Sequence, residues 1–181
     1  MIYGYKNTDG TIEYLGASDT QERLLKALQM AGIDTMDIQF TNNEPVNING
    51  VYYIDTSSDE YKVAELAKAK AAKIAELKDK RDTEEVTLIE YNGNTYDYDS
   101  KARERMRIAR EALQDSGVEG ASIVWTTADN QRVTLTVADF ADINGVAAYR
   151  SDALHIKYNQ LKEAVNACTT VEEVQAIEWG E

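Results

Sequence analysis

The sequence predicts an α+β fold: a small β-hairpin/helix N-terminal unit, a connecting helix, and a C-terminal unit of two β-hairpins packed on long helices. Three observations carry this reading. Asp9-Gly10, Asn49-Gly50 and Asn92-Gly93 each sit between short apolar and aromatic runs, and such pairs supply the positive φ that a tight hairpin turn needs. Residues 57–82 contain neither glycine nor proline and are rich in strong helix formers. Beyond residue 99, apolar side chains recur at helical spacing on two long stretches. The boundaries that follow are 1–56, 57–84 and 85–181.

The first hairpin joins Ile2–Lys6 to Thr11–Leu15. A two-residue turn at Asp9-Gly10 places Tyr5 opposite Tyr14 and Lys6 opposite Glu13, both favourable cross-strand pairs. Ser18 and Gln21 have capping-box spacing, so a helix is expected after Ser18, with Leu24, Leu25, Leu28 and Ile33 as its apolar stripe and Gly32 as its stop. A second hairpin turns at Asn49-Gly50, with Ile48 opposite Val51 and Val46 opposite Tyr53. This unit has only a thin core to offer.

The helix expected from Ser57 to Asp82 carries Val63, Ala67, Lys70, Ile74 and Leu77 at alternating spacings of four and three. A lysine in mid-seam and few large aliphatics make a weak coiled coil, so the segment reads as an exposed lever outside either core. Association of several copies through this seam is the homo-oligomer expectation.

The third hairpin turns at Asn92-Gly93, with Ile89 against Tyr96 and Tyr91 and Tyr98 on the same face. A helix starts near Asp99 or Ser100, with Ala102, Met106, Ala109 and Leu113 inward and Gly117 beyond its end. For the fourth hairpin, a three-residue loop at Asp129-Asn130-Gln131 places Trp125 opposite Leu135 and Thr127 opposite Val133, which keeps the apolar set on one face. Thr136 and Asp139 open a long helix whose stripe runs through Phe140, Ala147, Ser151, Leu154, Tyr158, Leu161 and Val165. Thr170 and Glu173 cap a last short helix bearing Val174, Ile177 and Trp179.

The composition excludes several classes of function. The 181 residues are 43% hydrophobic and 28% charged, too apolar for a wholly disordered chain. Nineteen basic against thirty-two acidic residues give a net charge of −13. Such a surface repels nucleic-acid phosphates and anionic membranes, so neither is expected as a partner. The N-terminal MIYGYKNTDG lacks the pattern of a signal peptide, and no apolar run reaches the ~20 residues of a membrane span.

Candidate chemistry is sparse. Lone Cys168 excludes an internal disulfide framework, and a single histidine, His155, excludes a Cys/His zinc site. Neither has a local catalytic partner. Asp97 and Asp99 form a D-x-D without the glycine and distal glutamate of a calcium loop, and a strand-to-helix cap explains them better. No phosphate-cradling glycine loop is present. No catalytic residue, metal or cofactor is therefore expected. Two features suggest contact surfaces instead. Arg103, Arg107 and Arg110 share one helix face, interleaved with Glu104 and Glu111. Eleven tyrosines against two phenylalanines suit half-buried sheet faces and recognition surfaces, with Tyr3 and Tyr52 as candidates for partner contact.

The strings KIAELKDKRD, YNGNTYDYD, SIVWTTADNQRVTLTVADF and ALHIKYNQLKEAVNACTTVEEV occur in an order that resembles an uncharacterised domain of bacteriophage and prophage tail proteins. The likeness covers about residues 70–178, and its most specific part is Trp125 to Thr136. It implies a non-enzymatic tail-associated protein: a tail-fibre or baseplate component, or its assembly factor. Other phage tail proteins would be its partners, and the virion tail or the host cytoplasm during assembly its place. That family carries no established catalytic residues to transfer. Two alternatives come from the residues themselves. The acidity suits a nucleic-acid mimic that inhibits a host defence protein. The tyrosines and carboxylates suit a glycan-binding protein of the tail tip.

Overall fold

The computed structural model describes residues 1–180. Its α+β architecture divides into two compact units, residues 1–71 with 169–172, and residues 72–168 with 173–180. No helix among the described residues is long and apolar enough to cross a membrane.

In the first unit, β1 (Ile2–Thr8) pairs antiparallel with β2 (Thr11–Ser18). Tyr5 faces Tyr14 and Lys6 faces Glu13, as the turn chemistry requires. The ladder shifts register between Gly4 and Tyr5, and the pairing then runs on to Ser18 opposite Ile2. That extension corrects the start of α1 (Gln21–Met30). Ser18 is occupied in the ladder, and Thr20 is the N-cap, its hydroxyl accepting from Arg23 N at 3.2 Å. Leu24 and Leu28 are buried on the inner face of α1, while Leu25 is half-buried and Ile33 exposed. A Cβ on Gly4 would stand 2.9 Å from Leu24 Cδ2, so glycine at this position leaves room for the Leu24 side chain against the sheet.

The sequence reading lacked one strand here. β3 (Gln39–Thr41) pairs with β1 and makes a three-stranded sheet in the order β2-β1-β3. β4 (Val46–Ile48) and β5 (Val51–Tyr53) form the second hairpin, with Ile48 opposite Val51 and Val46 opposite Tyr53.

α2 runs Asp59–Glu85, and the division between units falls within it. The expectation of a lever outside both cores fails in its second half. Leu77 is fully buried, and Arg81 lies 4.9 Å from the Tyr158 ring. Val63, by contrast, is 68% exposed. The seam is therefore not one continuous stripe, because its C-terminal part is taken up by packing in the second unit.

In the second unit, β6 (Ile89–Tyr91) and β7 (Asn94–Tyr96) pair with Ile89 opposite Tyr96. α3 (Ser100–Asp115) starts at the N-cap Asp99, whose carboxylate accepts from Ala102 N at 2.7 Å. β8 (Ser122–Thr126) and β9 (Arg132–Thr136) form the last hairpin. Here the expected register is corrected by two residues: Trp125 faces Val133, and Ile123 faces Leu135. The loop is longer than expected because Thr127 closes it. Its N–H donates to Gln131 O and its Oγ accepts from Gln131 N, both at 2.9 Å, while Asn130 adopts a φ of 63°. A shift of two preserves the face, so Trp125, Thr127 and Leu135 still point inward.

α4 (Val137–Ala167) opens with the expected capping box between Thr136 and Asp139. Its buried side chains are Phe140, Ile143, Ala147, Leu154, Tyr158 and Val165. Ile143 is an addition to the expected stripe. The short α5 (Val171–Gln175) follows, with Val174 buried. Ile89, Tyr96, Met106, Ala109, Trp125, Leu135, Phe140, Ile143 and Ala147 form one core cluster, drawn from both hairpins, α3 and α4.

Candidate functional site

Each expected contact residue lies in a structured setting. Tyr3 and Tyr52 both pack on Tyr14, with ring centroids 6.5 and 5.5 Å apart, and all three are half-buried. The arginines stand on α3 of the other unit. Arg107 is held by Glu104 at 2.7 Å and by Glu111 at 2.6 Å, and these partners raise its affinity for its proton. The guanidinium of Arg103 sits 5.8 Å from the Tyr98 ring centre. Arg110 is half-buried, with its Nε enclosed. The tyrosines and the arginines thus form two separate groups, one per unit.

The polar network of the second unit is organised around the start of α4. Tyr91 shares its hydroxyl proton between Asp139 Oδ1 at 2.9 Å and Asp142 Oδ2 at 3.1 Å. The hydrogen bond to Asp139 is the main reason the phenol is pushed up to about 12. Asp139 is held below the usual carboxylate range, first by the Thr136 hydroxyl and then by the Thr136 backbone N–H. This network fastens β6–β7 to the start of α4.

A second network closes the end of α2. Arg150 donates to the carbonyl of Glu85, one of the oxygens that the end of α2 leaves open, at 2.6 Å, and to those of Thr87 and Leu88 just beyond the helix, each at 3.1 Å. Ser151 donates to the Glu85 carboxylate, which also lies 3.5 Å from His155 Nε2. The hydroxyl of Tyr98 donates to Asn144 Oδ1 at 3.1 Å. A small cleft of about 210 Å³ lies among Glu85, Tyr98, Arg103, Asn144 and Ser151. Cys168 caps α4, its thiol donating to Ala164 O at 3.3 Å. Among the described residues no group of three or more His, Cys, Asp or Glu side chains is placed to hold a metal ion.

Two features lay outside the sequence reading. The first is a second apolar row on α4, facing solvent: Val146 is 41% exposed, Tyr149 82% and Ile156 50%, with Ala153 between the last two. Their spacing of three, four and three is visible in the sequence, but it is masked by the inward stripe of the same helix. The second is a cleft of about 530 Å³ in the first unit, between the β1–β2 hairpin and β5. Its walls come from segments distant in sequence, so no local pattern announces it.

Fold and surface together define an α+β chain whose second unit is two hairpins set on helices, with exposed apolar side chains on the longest helix. Residues 68–178 match the family described as Domain of unknown function (DUF4376). That is more than half of the chain, and the chain belongs to this family. No curated protein and no solved structure matches it.

Proposed function

We propose that this chain is a non-enzymatic, tail-associated bacteriophage protein, a tail-fibre or baseplate component or the assembly factor of one, acting by protein–protein contact. The resemblance of residues 70–178 to a domain of phage tail proteins motivates the assignment to tails. The observation that supports action by contact is the row Val146, Tyr149, Ala153 and Ile156 on the outer face of α4. Large apolar side chains aligned on one face of a rigid helix are unusual in so charged a chain, and aromatic anchors of this kind dominate binding energy at protein interfaces. The segment that carries the most specific resemblance, Trp125 to Thr136, is scaffold: it buries Trp125, Thr127 and Leu135 and caps α4. Scaffold positions set the platform, and exposed positions select the partner.

Mass spectrometry of purified particles and of tail-assembly intermediates tests the proposal. Peptides in finished particles identify a component, and peptides in intermediates alone identify an assembly factor. Absence from both fractions would overturn the reading.

A further inference from the structure

β8 is an open edge of the second unit. It pairs with β9 alone, and the only other element packed along it is α3, on the inner face where Met106, Ala109 and Trp125 share the core. Successive residues of an antiparallel strand send their N–H and C=O groups to opposite sides. Thr127 N donates across the hairpin to Gln131 O at 2.9 Å, so Trp125 and Ile123, in step with it, also face β9. Ser122, Val124 and Thr126 therefore point theirs away. Ala128, next in that outward set, donates to Thr95 O on β7 at 2.9 Å. The backbone groups of Val124 and Thr126 have no hydrogen-bond partner among the described residues. They stand open to solvent: every residue of β8 except Trp125 is exposed, Val124 at 65%.

The sequence leaves this edge unguarded. Edge strands are ordinarily protected by charge, proline or a bulge. Residues 120–128, GASIVWTTA, contain no charge and no proline, and the β8–β9 register runs without a break. The edge of β9 differs, because Arg132 stands on it and Thr136 N is committed to Asp139 Oδ2 at 2.8 Å. The occupant that fits β8 is β8 itself. Antiparallel pairing about a two-fold at Val124 sets Val124 against its own copy and Ser122 against Thr126, a hydroxyl pair on the outer face. On the inner face the same register sets Ile123 against Trp125. Ile123 shares the face of buried Trp125 yet is 40% exposed, so its own subunit leaves it half-covered, and the indole of the second copy completes the cover. Glu119 and Asp129, the acids that bound the uncharged run, meet just past the ends of this ladder, and their repulsion confines it to β8.

We propose that two copies of this chain associate through β8, edge to edge and antiparallel, turning two two-stranded sheets into one of four strands. The inference goes beyond the tail assignment and does not depend on it. A five-residue edge is a small interface and each copy carries a net charge of −13, so the dimer is weak and forms at high protein concentration.

Sedimentation velocity of the full chain tests this from micromolar to millimolar concentration, at ~0.15 M salt, where charges more than ~8 Å apart are screened. A concentration-dependent dimer is expected, and amide hydrogen exchange at Val124 and Thr126 should slow as it forms. Val124→Lys and Val124→Glu alter an exposed side chain and leave the β8–β9 ladder intact, which unchanged circular dichroism verifies. Each alone should weaken the dimer at least about tenfold, because the two-fold puts like charges face to face. An equimolar mixture of the two variants should dimerise again, since Lys then meets Glu. Monomer at every concentration, exchange slowed only at other residues, undiminished dimerisation of Val124→Lys, or a mixture no better than its components would each overturn the proposal. A dimer abolished by Tyr149→Glu but not by Val124→Lys would move the contact to α4 and overturn it too.

Discussion

Trp125 meets Phe140 edge-on, their ring centroids 5.3 Å apart and their planes at 80°. One ring comes from β8 and the other from the first turns of α4, so this contact ties the last hairpin to the longest helix. Arg105 lies 5.0 Å from the centre of the same indole. Trp125→Ala removes a large buried side chain from the core cluster and should cost ~3–5 kcal/mol. Chemical denaturation followed by circular dichroism checks this. A loss below ~1 kcal/mol, the scale of a surface change, would place the indole outside the core.

The Tyr91 hydroxyl gives a prediction with a defined pH window. Its proton is bound more tightly in the folded chain, at about 12 against 10 in the free side chain. A group whose folded value is raised contributes stability that is fully present below its unfolded value and is lost as pH rises through the folded one. The stability difference between the native chain and Tyr91→Phe should therefore be constant from neutrality to pH 9, and then shrink between about pH 10 and 12. Asp139 behaves in the opposite sense. Its folded value is lowered, so its contribution is present above the ordinary carboxylate range and is lost on acidification. Denaturant melts of Tyr91→Phe and Asp139→Asn across both ranges check the two signs.

α2 should show two unlike ends. Leu77→Ala opens a cavity at a fully buried site and should cost ~2–5 kcal/mol. Val63→Ala, at a site 68% exposed, should stay within ~0.5 kcal/mol. Thermal melts of the two variants decide between a helix packed in its second half and one that is a lever throughout.

Local signals carried most of the fold. Three Asx-Gly turns set the register of three hairpins, because a two-residue loop leaves no freedom in the pairing. The fourth hairpin slipped by two residues because its loop is closed by the Thr127 hydroxyl, whose bonds to Gln131 and Asp129 no spacing rule announces. β3 was illegible because its partner β1 is distant in sequence and its three residues show too little alternation to stand out. Ser18 has the right spacing for a cap, but the sheet claims it and Thr20 caps instead. The arginines of α3 were visible as a face. What the sequence concealed is that Arg107 is already held by its neighbouring glutamates and that Arg150, on another helix, closes the end of α2. The cleft beside β5 arises from tertiary placement, beyond the reach of a local pattern, whereas the outer row of α4 has a visible spacing that the inward stripe of the same helix masks.

The row on α4 bears most directly on action by contact, and Tyr149 is its most exposed member at 82%. Replacing it changes no packed core, so Tyr149→Glu should alter stability by no more than ~0.5 kcal/mol. In phage carrying the native chain or this variant, quantitative mass spectrometry of the tail fraction measures how much of each is taken up. The account predicts that the native chain is present in finished tails or tail intermediates, and that the folded variant falls at least about tenfold, the loss expected when an aromatic anchor is replaced by a charge at an interface. Uptake of the variant equal to the native chain, or absence of the native chain from every tail fraction, would contradict it.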